Sequence, residues 1–407
     1  MNAPASPARL HPAAPERASD LVAWPLIQAL VGFDTTSRES NLALIEWVRS
    51  YLAGYDIAAQ LTFDDSQRKA NLFATLPASD GETNARGIVL SGHTDVVPVD
   101  GQPWDTPPFV ATEIGDRIHG RGVTDMKSFI ATALAFVPQW CAQPLARPVH
   151  LALSYDEEVG CIGVRRLLAD LARRRLAPTG CIIGEPTAME LVVAHKGRHS
   201  YRCRVRGHEA HSSLTPHGVN AVQIACEIVT YLTGIARSFA EQGRFDGAYD
   251  VPYTTVHTGV IHGGTAVNIV PRDCWFDFEV RHLPFDDPDE IVAEVKAYAE
   301  RFLPAMRAVS ADTDITFEQL SKSPGMEVEH DQEIVALAKS CSDSSACGKV
   351  SFGTEGGLFH QASIPTVVCG PGHMAQAHQP NEWVSIEQLG RCETFMRRLT
   401  RELARAS

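Results

Sequence analysis

The amino-acid sequence predicts an α/β protein: a large domain with a mixed, mainly parallel sheet flanked by helices, interrupted by a smaller, ferredoxin-like α+β domain. Three observations carry that prediction. Four short apolar runs, residues 87–92, 149–154, 181–184 and 366–370, read as buried strands, and each leads into a carboxylate or a histidine. From about Leu191 the rhythm changes to strand, helix, strand, strand, helix, strand. At 407 residues the chain exceeds one ordinary hydrophobic core, so two domains are expected.

Taken in order, residues 1–19 are rich in Ala and Pro and are expected to be disordered. Residues 20–189 alternate strand and helix. Ser40 or Asn41 can cap an amphipathic helix through Tyr51, a helix over 127–140 follows Asp125, and another over 164–175 follows the Glu157-Glu158 pair. Residues 190–322 form the inserted domain, with strands over 195–206, 254–262, 273–281 and 314–320 and helices over 220–239 and 288–302. The first rhythm resumes near Asp331, so residues 323–407 complete the large domain. Ser385 and Gln388 form a capping box for the last helix. The chain shows no internal repeat.

Composition excludes several classes of function. Acids outnumber bases 49 to 36, a net charge of −13, which argues against a nucleic-acid partner. The N-terminus lacks the apolar segment of an ordinary signal peptide, and no run approaches the roughly 18 apolar residues of a membrane span; a cytoplasmic protein without membrane attachment is expected. The ten cysteines form no CxxC pair, and Cys181, Cys203, Cys274 and Cys369 lie in apolar strand-like runs, which points to buried reduced thiols. Arg173, Arg174 and Arg175 close a helix, where cations suit the dipole. His119, His150, His257, His262, His282 and His360 have no ligand-like spacing, and Trp47 and Trp275 read as packing residues.

In an open α/β sheet, ligands sit beyond the carboxyl ends of the strands, so the groups ending the four apolar runs should converge. With Asp125 added they are His93, Asp125, Glu158 or Glu157, Glu185 and His378. That set suits two divalent metals sharing one bridging carboxylate. Asp95, two residues after His93, can orient its imidazole. Neighbouring residues on extended chain point in different directions, so one of Glu157 and Glu158 can bind metal while the other activates a water. Each signal alone has a plain structural reading, Asp125 as an N-cap for example. Five such groups at strand or helix ends of one chain are harder to assign to chance.

The segments His93-Thr94-Asp95-Val96-Val97-Pro98, 120–127, Asp156-Glu157-Glu158, Gly184-Glu185-Pro186-Thr187 and 376–382 together resemble the M20 family of two-zinc peptidases and amidohydrolases. Within it, Gly353-Thr354-Glu355-Gly356-Gly357 and Gly370-Pro371-Gly372 are most similar to the acetylornithine deacetylase branch, although that branch often has Cys and Ala where this chain has Gly353 and Gly356. The resemblance implies that His93 and Glu185 hold one zinc, Glu158 and His378 the other, and that Asp125 bridges them, with cobalt an alternative metal. It implies Glu157 as general base and Asp95 as its histidine-orienting partner. His211 would come from a partner subunit's inserted domain to stabilise the oxyanion, that domain being both lid and homodimer interface. Asn268 and Arg281 would hold the substrate's α-carboxylate, the guanidinium in two-point fashion.

Beside these, the backbone at Gly356 and Gly357 opens an expected helix and offers an anion cradle, and Glu355 is placed to face a distal ammonium. The implied reaction is hydrolysis of an N-acyl-L-amino acid. N2-acetyl-L-ornithine comes first, giving ornithine and acetate in arginine biosynthesis; desuccinylase, aminoacylase and dipeptidase activities are the alternatives. A non-catalytic metal-dependent amino-acid-binding protein would need neither Glu157 nor Asp95.

Overall fold

The computed structural model describes residues 14–83, 87–343 and 346–404. Its main sheet runs, edge to edge, through Ala59–Phe63, Ala70–Leu76, Val149–Ser154, Ile88–His93, Gly180–Pro186, Thr366–Gly370, Leu191–His195 and Met326–Glu327, with Cys347–Val350 paired beside Leu191–His195. The four central strands, Val149–Ser154, Ile88–His93, Gly180–Pro186 and Thr366–Gly370, are mutually parallel. All are fully buried along their length, as continuous apolar runs in a sheet covered on both faces should be. Parallel alignment puts all four carboxyl ends on one edge.

A second sheet is antiparallel, in the order Thr255–Gly263, Asp273–His282, Gly197–Arg206, Asp314–Ser323. Helices Ala221–Gln242 and Pro288–Glu300 cover one face and share a separate core with Cys203, Phe276 and Phe278. Buried and partly exposed residues alternate along Gly197–Arg206, so Arg198, Ser200 and Arg202 share the opposite face.

Some elements differ from the expected ones for identifiable reasons. The helix after Asp125 is two, Lys127–Ala135 and Val137–Ala142, broken at Phe136 just before Pro138. The strand expected over 195–206 is divided at Lys196: Leu191–His195 stays in the main sheet and Gly197–Arg206 enters the second. There the chain needs a glycine, since a Cβ on Gly197 would lie 2.6 Å from the Gly325 nitrogen and 2.0 Å from the His282 ring. Residues 14–19 are ordered rather than disordered: Ala18 is buried in a 3-10 turn, Ala18–Asp20, and Arg17 pairs with Glu113. Residues 1–13 lie outside the described residues. At the last helix, Ser385 accepts from the Gln388 N–H, but the Gln388 side chain accepts from Gly372, so only half of the capping box forms.

All ten cysteines are free, and Cys181, Cys203, Cys274 and Cys369 are buried. Among the described residues, no helix is long and apolar enough to cross a membrane.

Candidate metal centre

Each strand end delivers its group to one point. His93 is the last residue of its strand, Glu185 the next to last of its own, and the Glu157-Glu158 pair follows Ser154 by a turn in which Asp156 is left-handed, φ 56°. His378 sits in the loop after Thr366–Gly370, also left-handed at φ 60°. Such backbone in a non-glycine residue costs energy and often marks a functional site.

Asp125 lies between the two imidazoles. Its Oδ1 is 2.8 Å from His93 Nε2 and its Oδ2 is 3.1 Å from His378 Nε2. His378 Nε2 is also 3.1 Å from Glu158, and His93 Nε2 is 3.7 Å from Glu185. Asp125 is not the N-cap of the following helix; that position is Met126. Donor atoms of His93, Asp125 and Glu158, and likewise of His93, Glu157 and Glu185, all lie within 4.8 Å of one another. Two imidazoles and two carboxylates, Glu158 and Glu185, around a carboxylate with one oxygen on each side fit a pair of divalent cations.

The electrostatics are those of crowded buried acids. Burial, then repulsion from Asp125, pushes the Glu185 carboxyl well above its usual range, and burial likewise raises Glu158. Glu157 is pushed up to about 7, chiefly by burial, with like charge from Glu158 adding to it. Asp125 goes the other way: burial opposes ionisation, but hydrogen bonds from His378 and His93 outweigh it. Those bonds to Asp125 and Glu158 lift His378 to about 10.

Asp95 holds more than the imidazole expected of it. His93 Nδ1 bonds the Asp95 backbone carbonyl at 2.9 Å, whereas the Asp95 carboxylate is 3.6 Å away. That carboxylate accepts from Ser37 Oγ at 2.7 Å and from the backbone N–H groups of Glu157 and Glu158 at 3.0 and 3.3 Å. It therefore orients the acidic pair, while the carbonyl selects the imidazole tautomer that leaves Nε2 facing Asp125.

A cavity of about 410 Å³ opens onto this cluster and is lined by Asp125, Glu157, Glu158, Glu185 and His378, and also by Arg281 and Arg198. The two arginines are direct partners across antiparallel strands and share Glu279, at 2.6 Å from Arg281 and 4.0 Å from Arg198. Arg198 is absent from the sequence reading because only the strand register puts it beside Arg281.

The remaining expected residues do not line the cavity. Glu355 is 1% exposed, with its carboxyl 2.5 Å from Ser154 Oγ, and burial lifts it to about 8, so it is largely protonated at neutral pH. Gly356 donates to Thr354 Oγ1, and Gly357 is packed so tightly on Pro324 that a Cβ would lie 2.0 Å from its carbonyl; the helix they open has six residues. His211, on a two-stranded ribbon, and Asn268, in the turn that enters it, are both exposed; the Asn268 carbonyl accepts from Ser212 N and His211 Nδ1 bonds Ser213.

The sequence matches Peptidase family M20/M25/M40 over residues 89–402. The chain belongs to this family. The chain is 34% identical over 371 residues to the acetylornithine deacetylase of Proteus mirabilis, covering 90% of each. It is 32% identical over 387 residues to that of Klebsiella pneumoniae, covering 94% of each. In fold it resembles an M20 family metallo-carboxypeptidase from Sulfolobus solfataricus, with a TM-score of 0.74 at 17% identity over 94% of this chain and 99% of that one. It also resembles a dinuclear metal-binding M20 peptidase from Bacillus subtilis, with a TM-score of 0.64 at 14% identity over 93% and 97%.

Proposed function

We propose that this M20 chain hydrolyses the amide of an N-acyl-L-amino acid at two zinc ions held by His93, Glu185, Glu158 and His378 with Asp125 between them. N2-acetyl-L-ornithine is the first substrate, which would place the chain in arginine biosynthesis; the names of the relatives at 32–34% identity support that choice. The observation that carries the reading is Asp125, one oxygen toward each histidine, with the Glu157 carboxyl beside it on the same cavity.

Bound cations would polarise the amide carbonyl and bring the pKa of a shared water to near neutral. Glu157 is placed on the cavity to take a proton from the attacking water as it would add to the carbonyl carbon. It would return that proton to the amide nitrogen as the C–N bond breaks, so the products would be the carboxylic acid and the free amine. Arg281, which lines the cavity, holds the substrate's α-carboxylate, with Arg198 beside it adding positive charge. His211 and Asn268 lie away from this cavity in their own chain, so we assign them to the site of a second copy in a homodimer formed through the Gly197–Ser323 region.

The test is acid release by the zinc-loaded protein from N2-acetyl-L-ornithine, N-succinyl-diaminopimelate and N-acetylmethionine. Preference for the first supports the reading, and preference for the second or third moves the substrate within the family. Two bound zinc ions with no turnover on any of them would leave a metal-dependent amino-acid-binding protein instead.

A further inference from the structure

Behind the metal ligands lies a buried ion pair, Arg121 with Glu382, each 1% exposed. Glu382 Oε2 accepts from Arg121 Nη1 at 2.6 Å and from Gly122 N at 3.1 Å, while Oε1 accepts from Thr124 N at 2.9 Å and Asp125 N at 3.2 Å. One carboxylate thus accepts from three backbone N–H groups of the turn that presents Asp125, and from the Arg121 guanidinium. The same segment is tied to that turn by its backbone, since Gly120 N donates to the Glu382 carbonyl and Thr124 Oγ1 to the Trp383 carbonyl. Glu382 is also four residues beyond His378, and Arg121 reaches back to the Gln379 carbonyl at 3.5 Å.

Removing two full charges from water is expensive, and an apolar pair of similar volume is often as stable, so fold stability alone is a weak reason for this arrangement. Its location supplies a better one. His93 and Glu185 stand on strands of the main sheet, His93 in register with Ser154 and Glu185 next to Pro186, which pairs with Gly370. His378 stands on a loop, with its side chain 47% exposed, and Asp125 on a turn between Arg117–His119 and the following helix.

We propose that Glu382 is a positioning residue for the second cation site: it fixes the distance between the bridging carboxylate of Asp125 and His378 by referring both segments to one buried carboxylate. The proposal rests on the two-cation reading of this site.

The test is titration of the metal-stripped, full-length chain with Co²⁺, followed by calorimetry and by the visible d–d absorption of each bound equivalent. In Glu382→Gln, one carboxylate oxygen and the Arg121 partner are lost. The first equivalent should bind within about threefold of wild type, while the second weakens about 10- to 100-fold, in the range known for groups that orient metal ligands. Glu382→Asp keeps the charge and the arginine partner but is one methylene short, which protects folding; it should show the same split at smaller size. Loss of both equivalents in parallel with a lowered melting temperature would mean that the pair only supports the fold, and overturn the proposal. Two equivalents bound as tightly as in wild type by either variant would overturn it too. A wild-type chain that binds fewer than two cations would overturn the metal-centre reading itself, and this proposal with it.

Discussion

At the scale of single residues, Glu157 and Glu158 are adjacent in sequence and differ in what they face. Glu158 lies 3.1 Å from His378, whereas Glu157 Oε1 has the Cys161 thiol at 3.3 Å and no histidine bond. Glu157→Gln should therefore retain both cations and lose about 10²- to 10⁴-fold in kcat, because the amide keeps the shape but cannot accept the proton. Metal analysis beside steady-state kinetics checks this. Loss of metal from Glu157→Gln together with retention by Glu158→Gln would exchange the two roles.

At the scale of elements, the site depends on how closely the Lys127–Ala135 helix packs on the strand carrying Glu185. Gly184 is the contact: a Cβ there would lie 1.9 Å from the ring of buried Phe129. Gly184→Ala should destabilise the metal-stripped protein by about 1–3 kcal/mol through overpacking, and Gly184→Ala/Phe129→Leu should recover part of that in thermal unfolding. If the single variant unfolds like wild type, the close packing is not a constraint.

The strand Val149–Ser154 carries a second consequence. Burial, helped by Arg174, lowers the His150 imidazole to about 4, and its Nε2 has no partner. Its unfolded value is near 6.5, so between pH 6.5 and 4 the unfolded chain binds more protons, and stability from this group is lost as pH falls through that window. The stability advantage of wild type over His150→Gln should shrink by roughly 2–3 kcal/mol between pH 7 and pH 4 in denaturant unfolding. A constant difference would mean that His150 stays neutral in both states or charges in both.

At the scale of the whole molecule, the exposed His211 ribbon and the metal cavity are separate places on one chain. If the proposed dimer delivers His211 across its interface, His211→Ala and Glu157→Ala should each be nearly inactive with metals retained, since one oxyanion donor is worth about 2.7–4 kcal/mol. Refolded as an equal mixture they should form about half heterodimers, each with one complete site, and so recover about a quarter of wild-type activity. No recovery with heterodimers demonstrated by mass would remove His211 from the partner's site.

The sequence by itself determined the α/β class and the positions of the strand-end groups, because burial periodicity and the groups that end apolar runs are local properties. It also determined that the fourth central strand lies more than 170 residues beyond the third, since the rhythm of the intervening segment is legible. Only the tertiary structure decided which partner each group meets. The Asp95 carboxylate, besides pairing with the imidazole, accepts from two backbone N–H groups 62 and 63 residues away. Glu355 is buried away from the cavity against a serine 201 residues distant, and it is burial, against that hydrogen bond, that raises its pKa. Arg198 stands beside Arg281 through strand register, and Glu382 holds the Asp125 turn from more than 250 residues beyond it. A side chain's type and burial follow from its neighbours in sequence, whereas the atom it bonds follows from sheet order and register, which place distant segments within hydrogen-bond range.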